Sequence, residues 1–155
     1  MRIIFFIPLF ILITPNIFSQ NEIALARYVI VRATEDCEDI SDILLEERAY
    51  IAFYAVDSEK NLFMGNHWSK AKSESYGPIE ITRIDNLHNE SKSDTIQVVF
   101  FDWHYKNSYD DQQGTAKAKI VLYDEIFSLR IITEDLKVLV YDGYKEGEVD
   151  FSEFY

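Results

Sequence analysis

The chain is short of the residues that most catalytic and metal sites need. It holds one cysteine, three histidines, five glycines and three prolines in 155 residues. The lone Cys37 excludes an intramolecular disulfide and leaves a thiol free either to be buried or to link two chains as a dimer. Its neighbours Glu35, Asp36, Glu38 and Asp39 are all acidic, which disfavours a thiolate and a catalytic role. His67, His88 and His104 follow no zinc-binding spacing, and no His-Glu-x-x-His occurs. Five glycines build neither a phosphate loop nor a dinucleotide fingerprint, and Gly-x-Ser-x-Gly is absent. No cofactor motif is present.

Positive charge is also scarce. Lysine and arginine total 15 against 27 aspartates and glutamates, a formal charge of −12. Such a chain repels phosphate backbones and anionic membrane surfaces, so no nucleic-acid partner is expected. Cationic partners, divalent ions and neutral ligands fit the balance, as does charge that merely keeps an acidic protein soluble. Hydrophobic residues at 48% and charged residues at 27% are a globular composition, and the length suits one domain.

Only one long apolar run exists. Met1-Arg2 starts the chain, Ile3 to Ile13 is apolar throughout, and Thr14-Pro15-Asn16 ends the run. This is the layout of a secretory signal peptide, and it resembles export signals of Gram-negative bacteria. A spanning helix needs roughly 20 apolar residues, about twice what this run offers. Cleavage after Ser19 is expected, leaving residues 20–155 as one β-rich domain, secreted or periplasmic, with no membrane span. An uncut anchor is the alternative.

The rest of the chain is dominated by alternation with a period of two, the mark of half-buried strands. Residues 22–32 form the first candidate, with Ile23, Leu25, Val29 and Val31 on one side. Arg48 to Val56 is apolar on both faces, which predicts a central strand. Asp57 to Asn61 predicts a hairpin turn into Leu62-Phe63-Met64. Further strands are expected at Ile79–Ile84, Thr95–Lys106, Thr115–Leu122, Ile126–Thr133 and Leu136–Tyr141. Val99, Phe101, Trp103 and Tyr105 share one face, and Ala116, Ala118, Ile120 and Leu122 share another. Small alanines facing large aromatics suit a curved sheet. Residues 38–47 predict a short helix, with Ser41 as N-cap and Asp42 in its first turn, or else an acidic loop. The acidic, aromatic tail, residues 143–155, has no readable structure.

These features predict an all-β, mainly antiparallel domain. A meander of about seven to eight strands curling into a barrel or half-barrel is the first expectation, and a two-sheet sandwich the second. The pattern of short strands is similar to calycin barrels, an analogy of fold alone. Gly65-Asn66-His67-Trp68 has neither the spacing nor the position of the lipocalin Gly-x-Trp signature, so no family is assigned.

The aromatic set Tyr50, Tyr54, Trp68, Trp103, Tyr105 and Tyr109 is the leading candidate for ligand binding, because flat rings line apolar pockets and stack on planar groups. The same residues also serve as ordinary core. Asp102, between Phe101 and Trp103, is the leading carboxylate for acid–base work; its alternative is a place on the solvent face opposite Lys117 or Lys119. The oxygen-rich segment Asn107–Gly114 suits calcium or, equally, a tight turn, and lacks EF-hand spacing. The expected function is a non-enzymatic binding or interaction module of the cell envelope, holding a small neutral or apolar ligand or a protein partner. A carboxylate-based, glycosidase-like hydrolase is the alternative.

Overall fold

The computed structural model describes residues 22–56, 61–89 and 94–155. The expected export segment and the centre of the turn expected at 57–61 lie outside them. Among the described residues nine strands run in chain order: β1 (Glu22–Glu35), β2 (Glu38–Asp39), β3 (Ala49–Val56), β4 (Asn61–Trp68), β5 (Ser73–Asn89), β6 (Asp94–Asn107), β7 (Gln113–Tyr123), β8 (Ile126–Thr133) and β9 (Val138–Gly147). Each of β3 to β8 pairs antiparallel with the strand that follows it. β1 pairs with β3 on one side and β9 on the other, so eight strands close into a barrel. The two-residue β2 is an extra ribbon on the end of β1. The barrel is therefore the solution, and the sandwich is not adopted.

Closure follows from the side-chain alternation. Val99, Phe101 and Trp103 of β6 and Ala116, Ala118 and Ile120 of β7 are all buried in the interior. Ala118 lies directly across from Phe101 and Ala116 from Trp103, so small residues make room for rings. Burying such a large side chain contributes about 1.5–3 kcal/mol.

The first strand departs from expectation. The inward residues of β1 are Ala26, Tyr28, Ile30 and Ala33, while Val31 is exposed and Val29 only half-buried. Pairing slips between Ala24 and Ala26 against β3, and between Ile30 and Arg32 against β9. Each such bulge inserts a residue and reverses which face the next side chain meets. Simple alternation cannot register that.

The helix α1 spans Ser41–Glu47, as expected, but Ser41 is not its N-cap. Ile40 holds that position without a side-chain bond. Ser41 instead ties the helix to the barrel: its hydroxyl accepts from the Ala33 N–H at 3.0 Å and donates to the Asp39 carboxylate at 2.6 Å. Leu44 is the one fully buried residue of the helix.

The tail, unreadable in the sequence, splits in two. Gly143–Gly147 completes β9, and Phe151–Phe154 forms a 3-10 helix capped by the Asp150 carboxylate, which accepts from the Ser152 N–H at 3.0 Å. Val149 and Phe151 are buried against the core. This segment leaves β9 at the end of the barrel where β1 begins, and its Phe151 ring meets Phe53 edge-on at 5.2 Å. Phe53 also meets Tyr28 at 5.4 Å and Phe101 at 6.2 Å, and Tyr28 meets Phe127 at 5.1 Å. That half of the barrel is thus filled with rings. Phe151→Ala should destabilise the protein by about 3–5 kcal/mol in urea titrations, because it empties a closed site.

Candidate functional site

The opposite half of the barrel is not filled. It lies at the end carrying α1 and the β4–β5, β6–β7 and β8–β9 connections. A cavity of about 400 Å³ occupies it, within the range of small-molecule sites. Its wall includes Trp68, Trp103, Tyr105, Ile131, Leu139 and Tyr141. Ile40, which precedes α1, and Asn66, Glu74, Ser75, Glu35 and Lys137 are also in the lining.

Each wall residue is placed by its strand's alternation. Asn66 and Trp68 stand on the inner face of β4, one and two steps beyond the core residue Met64. Trp103 and Tyr105 occupy the same face of β6, their ring centroids 4.8 Å apart. The Trp103 Nε1–H donates to the Met64 carbonyl at 3.1 Å, which fixes that indole against the wall. Burial, followed by the nearby Asp135 and Glu134 carboxylates, pushes the Tyr105 phenol up. Tyr141 of β9 is buried, and Asn66 is 8% exposed. The Asn66 Nδ2 donates to the Tyr141 hydroxyl at 3.2 Å, whereas the Asn66 Oδ1 has no hydrogen-bond partner. At the rim, the Lys137 ammonium pairs with Glu35 at 2.6 Å. That contact raises the lysine above its ordinary value.

Four of the six sequence-selected aromatics, Trp68, Trp103, Tyr105 and Tyr109, line this cavity. Tyr109 is the outermost and 85% exposed. Tyr50 and Tyr54 lie on the outer face of β3, where they meet His67. Asp102 is also on an outer face, across from Lys117, where it lines a second pocket of about 410 Å³ with His104. The two carboxylates that do line the cavity are both engaged, Glu35 by Lys137 and Glu74 by His67. The oxygens of Asn107 and Asp110 accept from the N–H groups of Tyr109 and Gln112, closing a turn. Among the described residues, no group of three or more His, Cys, Asp or Glu side chains is placed to hold a metal. Cys37 is exposed at the tip of the β1–β2 hairpin, where Asp36 and Cys37 both have positive φ.

Asn66 and Tyr141 were not singled out by the sequence. The available signal was an Asn at an inward position between Met64 and Trp68, where an apolar residue is the rule.

The outer face holds a second arrangement that the sequence concealed. His67 is 6% exposed and is no ordinary strand-end residue. Its Nδ1 lies 2.7 Å from the Glu74 carboxylate, and its Nε2 lies 2.7 Å from the Tyr54 hydroxyl. A carboxylate only accepts, so Nδ1 carries the proton and Nε2 accepts from Tyr54 in the neutral ring. Tyr50 stacks on the imidazole at 4.6 Å, and the Arg27 guanidinium covers Tyr50 at 4.1 Å. Gly65 supplies the space: a Cβ there would lie 2.5 Å from the His67 Nε2. This chain clamps β3, β4 and β5 together beside the cavity.

Comparison of the chain with protein-family models, with characterised proteins and with solved structures gives no match. Among the described residues, no helix is long and apolar enough to cross a membrane.

His67→Leu should cost about 2–4 kcal/mol in urea titrations, since it takes the shared partner from a buried hydroxyl and a partly buried carboxylate. Glu74→Gln keeps an acceptor for Nδ1 and should cost clearly less. A pH effect follows from Tyr141. Burial pushes its phenol from 10.0 up to about 12 in the folded protein. Between those values the unfolded chain has lost a proton that the native state retains. Stability is therefore full below about pH 10 and falls as pH rises towards 12. Tyr28, raised by burial and then by Glu148, acts in the same direction. Urea midpoints at pH 9 and 11.5 should converge more closely in Tyr141→Phe than in the wild type.

Proposed function

We propose that this protein is a non-enzymatic binding module that carries a small, largely apolar, planar ligand in the open half of its barrel. The observation that supports this most directly is the cavity of about 400 Å³ with Trp68, Trp103, Tyr105 and Tyr141 in its wall. A core evolved only for stability fills such a space, because interiors pack to crystal-like density. Here one half of the same barrel is filled by rings and the other is not. Flat aromatic walls bind planar apolar groups by burial and stacking, and they need no charge to do so. The carboxylate alternative has less support, because both lining carboxylates are already paired.

The place of action proposed is the cell envelope, secreted or periplasmic. The basic start, the apolar run Ile3–Ile13 and the break at Thr14-Pro15-Asn16 support it. Expression of the full chain in a Gram-negative host should release a protein whose mass begins at Gln20. An uncut mass in the membrane fraction overturns this.

Binding is tested with N-phenyl-1-naphthylamine, a neutral planar fluorophore that brightens in apolar sites. It should bind saturably with quenching of tryptophan fluorescence. Ser75, a small residue of the cavity lining, offers a way to close the space. Ser75→Trp should weaken the probe by at least about tenfold while leaving the circular dichroism unchanged. Equal binding by both proteins places the probe elsewhere and refutes the cavity as the site.

A further inference from the structure

The Asn66–Tyr141 pair carries more information than the aromatic wall. Both residues line the cavity, and both are more than nine-tenths buried. One hydrogen bond joins them, from the Asn66 Nδ2 to the Tyr141 hydroxyl at 3.2 Å. The phenol then has a proton with no acceptor, and the Asn66 Oδ1 is an acceptor with no donor. The conclusion survives exchange of the amide oxygen and nitrogen, which are interchangeable by shape. With the amide reversed, Tyr141 donates to the amide oxygen, and the pair leaves an amide N–H and a phenol lone pair open. Either way the pair offers at least one donor and at least one acceptor.

Leaving such groups unmet costs free energy, and buried polar groups in proteins are nearly always paired. Tyr141 belongs to the core cluster that also holds Met64, Trp103 and Ile131, and Glu35 is the one carboxylate whose field reaches its phenol. The charged lining residues are already paired, Glu35 with Lys137 and Glu74 with His67. An ionised ligand group at the pair would have no counter-charge there.

We infer that Asn66 and Tyr141 recognise an uncharged group that both donates and accepts a hydrogen bond, a hydroxyl or an amide, at the leading end of a planar ligand. This inference rests on the cavity being a ligand site. The Asn66 Oδ1 itself is shielded, so engagement turns the side-chain amide, a soft torsion. The hydroxyl or amide then takes an open donor and acceptor together, and the ring system behind it lies against the wall that Trp68, Trp103 and Tyr105 form.

The test uses five naphthalene probes of nearly the same shape, each followed by quenching of tryptophan fluorescence in the full mature chain at pH 7. 2-Naphthol donates and accepts, 2-methoxynaphthalene only accepts, and naphthalene does neither. 2-Naphthoate and 2-naphthylmethylammonium carry opposite charges. 2-Naphthol should bind about tenfold more tightly than 2-methoxynaphthalene and than either ion, the effect of satisfying buried partners. In Tyr141→Phe that preference should shrink to about twofold or less. The wild-type ranking decides the matter even where the variant does not fold. Equal binding of naphthalene, 2-naphthol and 2-methoxynaphthalene overturns the inference and leaves the binding module standing. Tighter binding of either ion overturns the uncharged class. Failure of all five probes overturns both this inference and the reading on which it rests.

Discussion

The arrangement of this protein depends on how the ring of Phe53 is surrounded. It sits at the centre of three edge-on contacts, to Tyr28, Phe101 and Phe151. Each such contact adds about 0.5–1.5 kcal/mol beyond the area it buries. Together they join β1, β3 and β6 across the barrel interior and bring the C-terminal 3-10 helix in from the end. Eight strands closed on themselves leave no free edge in the ring. They also leave an interior that must be filled or used. The rings around Phe53 fill one half.

The other half takes its character from what the same strands carry further along. β4 continues from Met64 to Asn66 and Trp68, β6 from Phe101 to Trp103 and Tyr105, and β9 presents Tyr141. Large rings stand at the wall, small residues such as Ser73 and Ser75 are in it too, and among the described residues no plug enters from this end. Helix α1 lies at this end too, tied down through Ser41, but its one fully buried residue is Leu44, not a ring. The cavity is the difference between a terminus that turns inward and connections that stay at the rim.

The outer face explains why the wall beside the cavity holds its shape. His67 faces away from the cavity while its neighbours Asn66 and Trp68 line it. Its bonds to Glu74 and Tyr54 run across β4 to β5 and β3. A buried polar chain is satisfied only in one register, because a slip by one residue turns its members to the other face. The position of Asn66 inside is thus coupled to the position of His67 outside.

Much was legible in the chain itself. Alternation along Thr95–Lys106 and Thr115–Leu122 identified which residues of β6 and β7 face inward, and the two aromatics of β6 in the candidate set, Trp103 and Tyr105, line the cavity. It did so because a strand's two faces follow from backbone geometry, whatever the strand's neighbours. The short turns and the missing amphipathic helices determined an antiparallel all-β fold. What the sequence could not determine were contacts between residues far apart in the chain. The bulges of β1 arise from pairing with β3 and β9, so Val29 and Val31 looked inward and are not. His67 and Glu74 looked like separate polar residues until β4 and β5 brought them within 2.7 Å. The pairing of Asn66 with Tyr141 spans 75 positions and exists only because β1 joins β9 and closes the ring. Local chemistry determined the strands and their faces; closure alone decided which half of the interior would be filled and which polar atoms would be left open within it.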